Sequence, residues 1–368
     1  MNSVPADVRD AFVFEGVIKE IRPLGEGLIN DTFFVETTDT TPNYILQRKN
    51  KNIFKNVPAM VENIRKVSEH LKKKIVDQGG DPLRETLTLI PVTNSKYSLD
   101  QSYCYVDKNE DFWSAYLFIE ETISHQSADT PYLAYQGGAG IAKFQAMLTD
   151  MNDNLTDILP GFHNIKYRFG QWDDTLAKDS VDRKKSVAKE IAWIRERREE
   201  MLAFWDKIET GEIPSRVTHN DTKINNILFD KEDNILCVID LDTVLNSTCL
   251  NDFGDAIRSY TNAGAEDDEN LDNVYVKMDI FEAYAKGYLS QASQFLLPIE
   301  IDHLAFSARY ITFEQVLRFL MDYIDGDNYY KVAYPEHNLV RARAQYKLLT
   351  SIEENMEEMN RIISGLTR

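Results

Sequence analysis

Apolar and polar residues alternate along the first third of the chain. VIKEIRPL, DTFFVETT and NYILQRK carry apolar side chains at a period of two, which predicts three short strands with GEG between the first two. From Val57 to about Val76 the period lengthens, and Met60, Val61, Ile64, Val67 and Leu71 fall on one helical face. LTLIPV and QSYCYV read as two more strands, and FWSAYLFIEET as an apolar strand entered through a turn at VDKNED. Beyond Pro131 the helical period takes over. YLAYQGGAGIAKFQAML, VAKEIAWIRERREEMLAFWDKI, YVKMDIFEAYAKGYL and IDHLAFSARYITFEQVLRFLMDYI are each long enough for a helix, and the stretch from Glu336 to Leu366 reads as one terminal helix. Two apolar runs, ILFD and ILCVID, interrupt the helical part, with Asp230, Glu232, Asp233 and Asn234 as the turn between them.

These elements predict an α+β chain of two domains. Residues 1–122 form a small β-rich lobe, and residues 123–368 a larger, mainly helical lobe that carries one polar hairpin. A chain of 368 residues is too long for one simple core, which supports the division. With 43% hydrophobic and 27% charged residues, the composition is that of a folded protein without a long disordered tract. A net charge of −19 argues against nucleic acid and anionic membrane surfaces as partners. Cys104, Cys237 and Cys249 form neither a CxxC pair nor a zinc spacing, and Cys237 reads as a small buried hydrophobe. No signal-peptide core and no run of membrane-spanning length is present in the sequence, so a cytoplasmic location is expected.

The chemistry concentrates in RVTHNDTKINNILFDKEDNILCVIDLDT. His219, Asp221 and Asn226 form H-x-D-x-x-x-x-N, and an apolar strand ends in Asp240 fourteen residues after Asn226. That order is the machinery of phosphoryl transfer in protein kinases and their relatives. The first Asp accepts a hydrogen bond from the attacking hydroxyl and takes its proton late. The Asn and the second Asp supply oxygens to Mg²⁺, a hard cation that prefers them. A turn-former reading suits Asp230 to Asn234 but not Asp221 and Asp240, because carboxylates flanking buried strands need partners or a metal. Asp252 in D-F-G falls thirty-one residues after Asp221, too late for the metal role. Asp252 and Asp255 read as a cap and a helix-start acceptor bracing the catalytic loop. Gly25 and Gly27 in GEG, with Asn30 close by, form a candidate nucleotide-covering loop whose backbone N–H groups can approach phosphate. His125 and His163 lack metal-ligand spacing.

The same stretch resembles the aminoglycoside phosphotransferase/choline kinase superfamily. Over GEGLINDTFFV, YILQRKN, YLFIEET, THNDTKINNIL, IDLDT, NDFGDAIRS, RFLMDYIDGDNYY and YPEHNLVRARAQ the chain closely resembles the bacterial N-acetylhexosamine 1-kinases. The resemblance implies a two-lobed protein-kinase-like fold. It also implies ATP with Mg²⁺ as the phosphoryl donor, and the anomeric hydroxyl of N-acetylglucosamine or N-acetylgalactosamine as acceptor. Carried over by position, Asp221 is the base and Asn226 and Asp240 the metal ligands. Asp242 is expected at a sugar hydroxyl or a metal-bound water, or else as a structural acceptor. Lys223 is expected at the transferring phosphate or in solvent. The adenine is expected against Phe118 and Glu120, floored by Leu228 and Ile239. Related kinases carry a lysine on the third strand where this chain has Gln47, with Arg48 and Lys49 beside it. Strand alternation puts Gln47 and Lys49 on one face and Arg48 on the other. Arg318 and Tyr329 are placed next to the sugar; the alternative for Arg318 is a helix-surface pair with Asp322. Glu336, His337, Asn338 and Arg341 are expected to pack behind the acceptor site. Two rival readings remain: another small-molecule kinase of the superfamily, for another hexose, choline or an aminoglycoside, or a sugar- or nucleotide-binding pseudokinase. The sequence leaves open the choice between gluco and galacto epimers and the oligomeric state.

Overall fold

A computed structural model of the chain describes residues 4–25, 29–38, 40–93 and 103–367. The chain divides into two compact units. The first takes Met1–Ile123, Asp150–Pro160 and Ile227–Leu245; the second takes Ser124–Thr149, Gly161–Asn226 and Asn246–Arg368.

A short helix, α1 (Ala6–Arg9), opens the first unit, ahead of an antiparallel sheet. Its strands are β1 (Ile18–Pro23), β2 (Asp31–Thr37), β3 (Tyr44–Lys49), β4 (Tyr105–Val106) and β5 (Phe112–Leu117), in the order β1-β2-β3-β5-β4. Phe33 lies opposite Leu46, and Leu46 opposite Ala115. Phe33, Val35, Tyr44, Leu46, Trp113 and Ala115 bury one face of the sheet against Val8, Phe12, Ile90 and Val92. Alternation turns Gln47 and Lys49 to the other face, as expected.

LTLIPV does not form the expected strand. Only Leu89 and Val92 bridge, to Tyr116 and Phe12. Pro91 lacks an N–H, and the segment's hydrogen bonds split two ways: Ile90 N–H donates to the Ala115 carbonyl, while the Pro91 carbonyl accepts from Val13 N–H. QSYCYV yields only the two residues of β4, and its first two residues lie outside the described ones. The VDKNED turn is built on Asp107, whose carboxylate accepts from the backbone N–H of Asn109 and Asp111 and from the Trp113 indole at 3.0 Å.

Helix α2 (Val57–Asp77) is capped by Asn56, which accepts from Ala59 N–H, and buries Met60, Val61, Ile64, Val67 and Leu71. Its buried Asn63 exchanges hydrogen bonds with the Thr156 backbone at 2.8 and 2.9 Å, which ties the 150–160 segment to this unit. The hairpin Ile227–Phe229/Ile235–Val238 joins through reciprocal bonds between Ile123 and Phe229. Asp230 makes its turn by accepting from Glu232 and Asn234 N–H.

The second unit is mainly helical: α3 (Pro131–Met147), α4 (Ile165–Lys178), α5 (Ala188–Glu209), α6 (Cys249–Tyr260), α7 (Met278–Ala292), α8 (Pro298–Asp302), α9 (Leu304–Asp325), α10 (His337–Glu354) and α11 (Met356–Leu366). The single terminal helix expected from Glu336 to Leu366 is two helices. The break falls at Asn355, whose amide folds back onto the Ser351 carbonyl. Buried α9 packs against α6 and α10, and α3 against α7.

The α3–α7 contact depends on glycine. A Cβ at Gly287 would fall inside the envelope of the Tyr135 backbone carbonyl, and one at Gly138 inside that of Tyr284. Gly170, exposed on α4, has open space instead. Gly287→Ala is therefore expected to lower the unfolding free energy by about 1–3 kcal/mol through overpacking, and Gly170→Ala to raise it by about 0.5–1 kcal/mol. Urea unfolding of the two variants checks both signs.

Candidate active site

In the second unit the H-x-D loop is shaped by buried acceptors. Asp252 lies in the first turn of α6, whose N-cap is Thr248 and not Asp252. Its carboxylate accepts from the backbone N–H of His219 at 3.0 Å and of Asn220 at 2.6 Å, and from the Gln145 amide at 2.7 Å. Burial raises the Asp252 carboxyl above the usual carboxylate range, against the pull of His219 and those N–H groups. Asp255 accepts from Thr222 N–H at 2.9 Å and from the buried Arg258 at 3.0 Å. The bracing role expected for both aspartates is the one observed.

Asn220, the residue before Asp221, adopts φ 65°, a left-handed conformation costly for a residue with a Cβ. Its carbonyl faces the buried His163 Nε2 at 3.2 Å, and His163 Nδ1 faces Glu314 at 2.7 Å. Both partners can only accept, so both ring nitrogens carry protons. Glu314 also takes Arg168 at 3.3 Å.

This clamp presents Asp221, whose side chain is 21% exposed. Lys223 Nζ lies 2.8 Å from Asp221 Oδ1 while its side chain is 40% exposed, so Lys223 is both ion-paired and partly in solvent. The Asn226 amide donates to Asp221 Oδ2 at 3.1 Å and to the Asp221 carbonyl at 2.8 Å. Burial works to raise the Asp221 pKa, but Lys223, His219 and Asn226 hold the carboxyl below its ordinary range. With its amide nitrogen so engaged, Asn226 has its amide oxygen left to offer a cation.

Farther along this unit, Arg318 bonds Gln315 at 3.2 Å and lies against the rings of Tyr329 and Tyr330, at 5.8 and 5.5 Å. The alternative pair with Asp322 is not made. Asp322 accepts instead from Tyr329 N–H, Tyr330 N–H and the Asn338 amide at 2.8–2.9 Å. Tyr329 is 60% exposed. Asn338 is buried, His337 meets Asp267 at 2.8 Å, and Arg341 reaches the Lys331 carbonyl, while Glu336 is the left-handed residue before α10.

In the first unit, Asp240 lies two residues past the hairpin strand, which ends at Val238 and not at Asp240 as expected; at φ 58°, ψ 54° it leads a single helical turn, Leu241–Thr243. Asp242, in that turn, is buried and accepts from Lys49 Nζ at 2.7 Å and from Asn30 Nδ2 at 2.7 Å. Asn30 Oδ1 accepts from Asn50 N–H. Gln47 accepts from Lys49 and donates to Thr32. Arg48 turns the other way, to Asp31, Asp111 and the Trp113 ring. Phe118 packs edge-on against Phe34 and gives its N–H to the Asn43 carbonyl, and the Asn43 amide bonds Glu120. Leu228 is half-buried on the strand face opposite Ile227 and Phe229, and Ile239 is half-buried too. Gly25 has φ 68° and open space where a Cβ would be; Gly27 lies outside the described residues.

Among the described residues no group of three or more His, Cys, Asp or Glu side chains is placed to hold a metal. Mg²⁺ does not require one, since it keeps waters and substrate oxygens beside one or two protein ligands. The Asp240 carboxylate and the Asn226 amide oxygen are donors of the right hardness. Sequence spacing found both. Lys49 and the His163–Glu314 pair escaped it; a parity argument on β3 pointed to the face of Lys49 but not to its partner.

Residues 20–288 match the model of the phosphotransferase enzyme family. Among solved structures, the Plasmodium vivax ethanolamine kinase is similar at TM-score 0.57 and 14% identity, covering 93% of this chain and 84% of that one. A choline kinase from Cryptosporidium parvum is similar at 0.56 and 14%, covering 95% and 93%. A spectinomycin phosphotransferase in complex with ADP and spectinomycin is similar at 0.51 and 14%, covering 94% and 95%. At such identities the likeness shows the fold. A small antiparallel sheet followed by a mainly helical remainder is the protein-kinase-like fold of these neighbours.

The clamp carries a pH signature. Against burial, His163, Arg168 and Arg318 hold Glu314 down to about 2, and against burial Glu314 raises His163. The depressed carboxyl stabilises the fold above about pH 4.3 and loses this as pH falls toward 2. The raised histidine stabilises below about pH 6.5 and loses this as pH rises through its folded value. Glu314→Gln should therefore cost most near pH ~5.5 and less near pH ~9, read from urea unfolding at both. An equal loss at both values contradicts the charged pair.

Proposed function

The chain belongs to the phosphotransferase enzyme family, and on that premise we propose that it transfers the γ-phosphoryl group of ATP to the anomeric hydroxyl of an N-acetylhexosamine. The observation that carries the reading is the clamped loop holding Asp221 ionised and partly exposed, with Lys223 and Asn226 fixing its two carboxylate oxygens. In this role Asp221 orients the acceptor hydroxyl and takes its proton as the new P–O bond forms. No covalent enzyme intermediate is needed. An anomeric hydroxyl is more acidic than an ordinary alcohol, so a weak base suffices.

Asn226 and Asp240 would hold Mg²⁺, which when bound neutralises charge on the phosphates. Gly25, Gly27, Asn30, Gln47, Phe118, Glu120, Leu228 and Ile239 are assigned to the nucleotide, and Arg318 and Tyr329 to the sugar; Asp242, buried against Lys49 and Asn30, takes the alternative role of structural acceptor. Ethanolamine and choline, the acceptors in two of the neighbours' names, are cations, whereas Arg318 is itself a cation, bonded to Gln315 and set against two tyrosine rings. A guanidinium there would repel an ammonium and donate well to hydroxyl and acetamido oxygens. Asp322, the alternative partner for Arg318, is occupied by three other donors, which favours the sugar role.

An ADP-release assay over N-acetylglucosamine, N-acetylgalactosamine, glucose, choline and homoserine tests this. One of the two N-acetylhexosamines should lead in kcat/KM by about tenfold or more, roughly 1.4 kcal/mol of discrimination; a lead by choline or homoserine would sink the proposal. Asp221→Asn should keep ADP affinity and lose kcat by about 10²–10⁴-fold. Arg318→Leu should raise the sugar KM by about tenfold or more while ATP KM stays put.

A further inference from the structure

Lys49 sits at the end of β3 with only 2% of its surface exposed. Its ammonium has three N–H groups, and all are engaged. Asp242 takes it at 2.7 and 2.9 Å, Gln47 Oε1 at 2.6 Å, and the Tyr116 ring lies 5.3 Å from Nζ. Burial opposes the charge, but Asp242, Tyr116 and Asp240 hold the ammonium above the ordinary lysine range. A buried charge so completely paired has no direction left in which to reach a ligand without breaking its partners.

The partner is anchored in turn. Asp242 Oδ2 also accepts from Asn30, and Asn30 is fixed by Asn50 N–H. Asp242 belongs to the turn Leu241–Thr243, whose flanking Leu241 and Thr243 are buried and whose leading residue, Asp240, is in the left-handed region. Asp adopts this conformation more readily than most residues, and a neighbouring contact can fix it in place. The hydrogen bonds of Asp242 to β3 and to the segment before β2 do that two residues away.

We infer that Lys49 is a positioning residue: it holds Asp242, and through Asp242 the left-handed turn that presents Asp240 to a nucleotide-bound metal, and does not itself contact phosphate. The inference rests on the reading of this chain as an ATP- and Mg²⁺-dependent kinase. The identity of the sugar plays no part in it.

Calorimetric titration of the full chain with ADP and with AMP, each with Mg²⁺ and with excess chelator, separates the roles. Lys49→Met should keep the metal-free ADP-to-AMP affinity ratio within about twofold of the parent, yet lose about tenfold or more of the gain in ADP affinity that Mg²⁺ brings. Lys49→Gln combined with Asp242→Asn replaces the ion pair by a neutral hydrogen-bonded one, without leaving a buried charge unpaired. It should recover the Mg²⁺-dependent gain to within about threefold of the parent. A metal-free ADP-to-AMP ratio that collapses in either variant would make Lys49 a phosphate ligand and overturn the inference. An undiminished Mg²⁺ gain in Lys49→Met, or no recovery in the double variant, overturns it as well. Where Lys49→Met does not fold, the double variant is read alone against the same two ratios. A parent chain that binds no ADP, or gains nothing from Mg²⁺, instead sinks the kinase reading on which the inference stands.

Discussion

The H-x-D loop depends on one buried carboxylate. Asp252 accepts the N–H groups of His219 and Asn220 from inside the second unit, and His163 takes hold of the Asn220 carbonyl from the other side. Asn220 is left-handed, a conformation that costs at most about 1–3 kcal/mol and less in Asn than in most residues, its amide bonding back to the Thr218 carbonyl. Hydrogen bonds to charged groups contribute about 1.5–3 kcal/mol each, so the clamp is of the right size to hold the strain. Asp221 comes next in the chain, after a residue whose N–H and carbonyl are both bonded. Gln145, bonded to Asp252 and to the Tyr288 hydroxyl, carries the brace into α3 and α7, the helices that the glycine contacts bring close.

The first unit repeats the device with different parts. There Asp240 is the left-handed residue, and the buried partners are Lys49, Asn30 and Asp242. In both units a left-handed turn residue at or beside a candidate site carboxylate has charged groups buried close to it. Removing one member of such a set leaves an unpaired buried charge, as for Lys49 without Asp242 or His163 without Glu314.

Much of the fold was legible because its periods are clean. β1, β2, β3, β5 and the long helices emerge from alternation or from helical spacing. Failures have local causes: Pro91 splits the hydrogen bonds of LTLIPV, and the Asn355 amide closes α10 before α11 begins. The placement of 150–160 and 227–245 with the first unit rests on Asn63 meeting Thr156 and on Ile123 meeting Phe229, pairs too distant in sequence for periodicity to register. The loop motif was legible because its spacing is short and chemical. Its supports were not all so. Lys49 meets Asp242 across 193 residues and His163 meets Glu314 across 151, and no local pattern announces such partners.

Position of the transferred group on the sugar is the most direct check on the function. Phosphorus-31 NMR of the product made from ATP and the preferred N-acetylhexosamine reads it. The expected signal is a phosphomonoester resonance coupled to the anomeric proton. Coupling to the exocyclic methylene protons instead, or ATP consumed with no sugar phosphate formed, would contradict transfer to the anomeric hydroxyl.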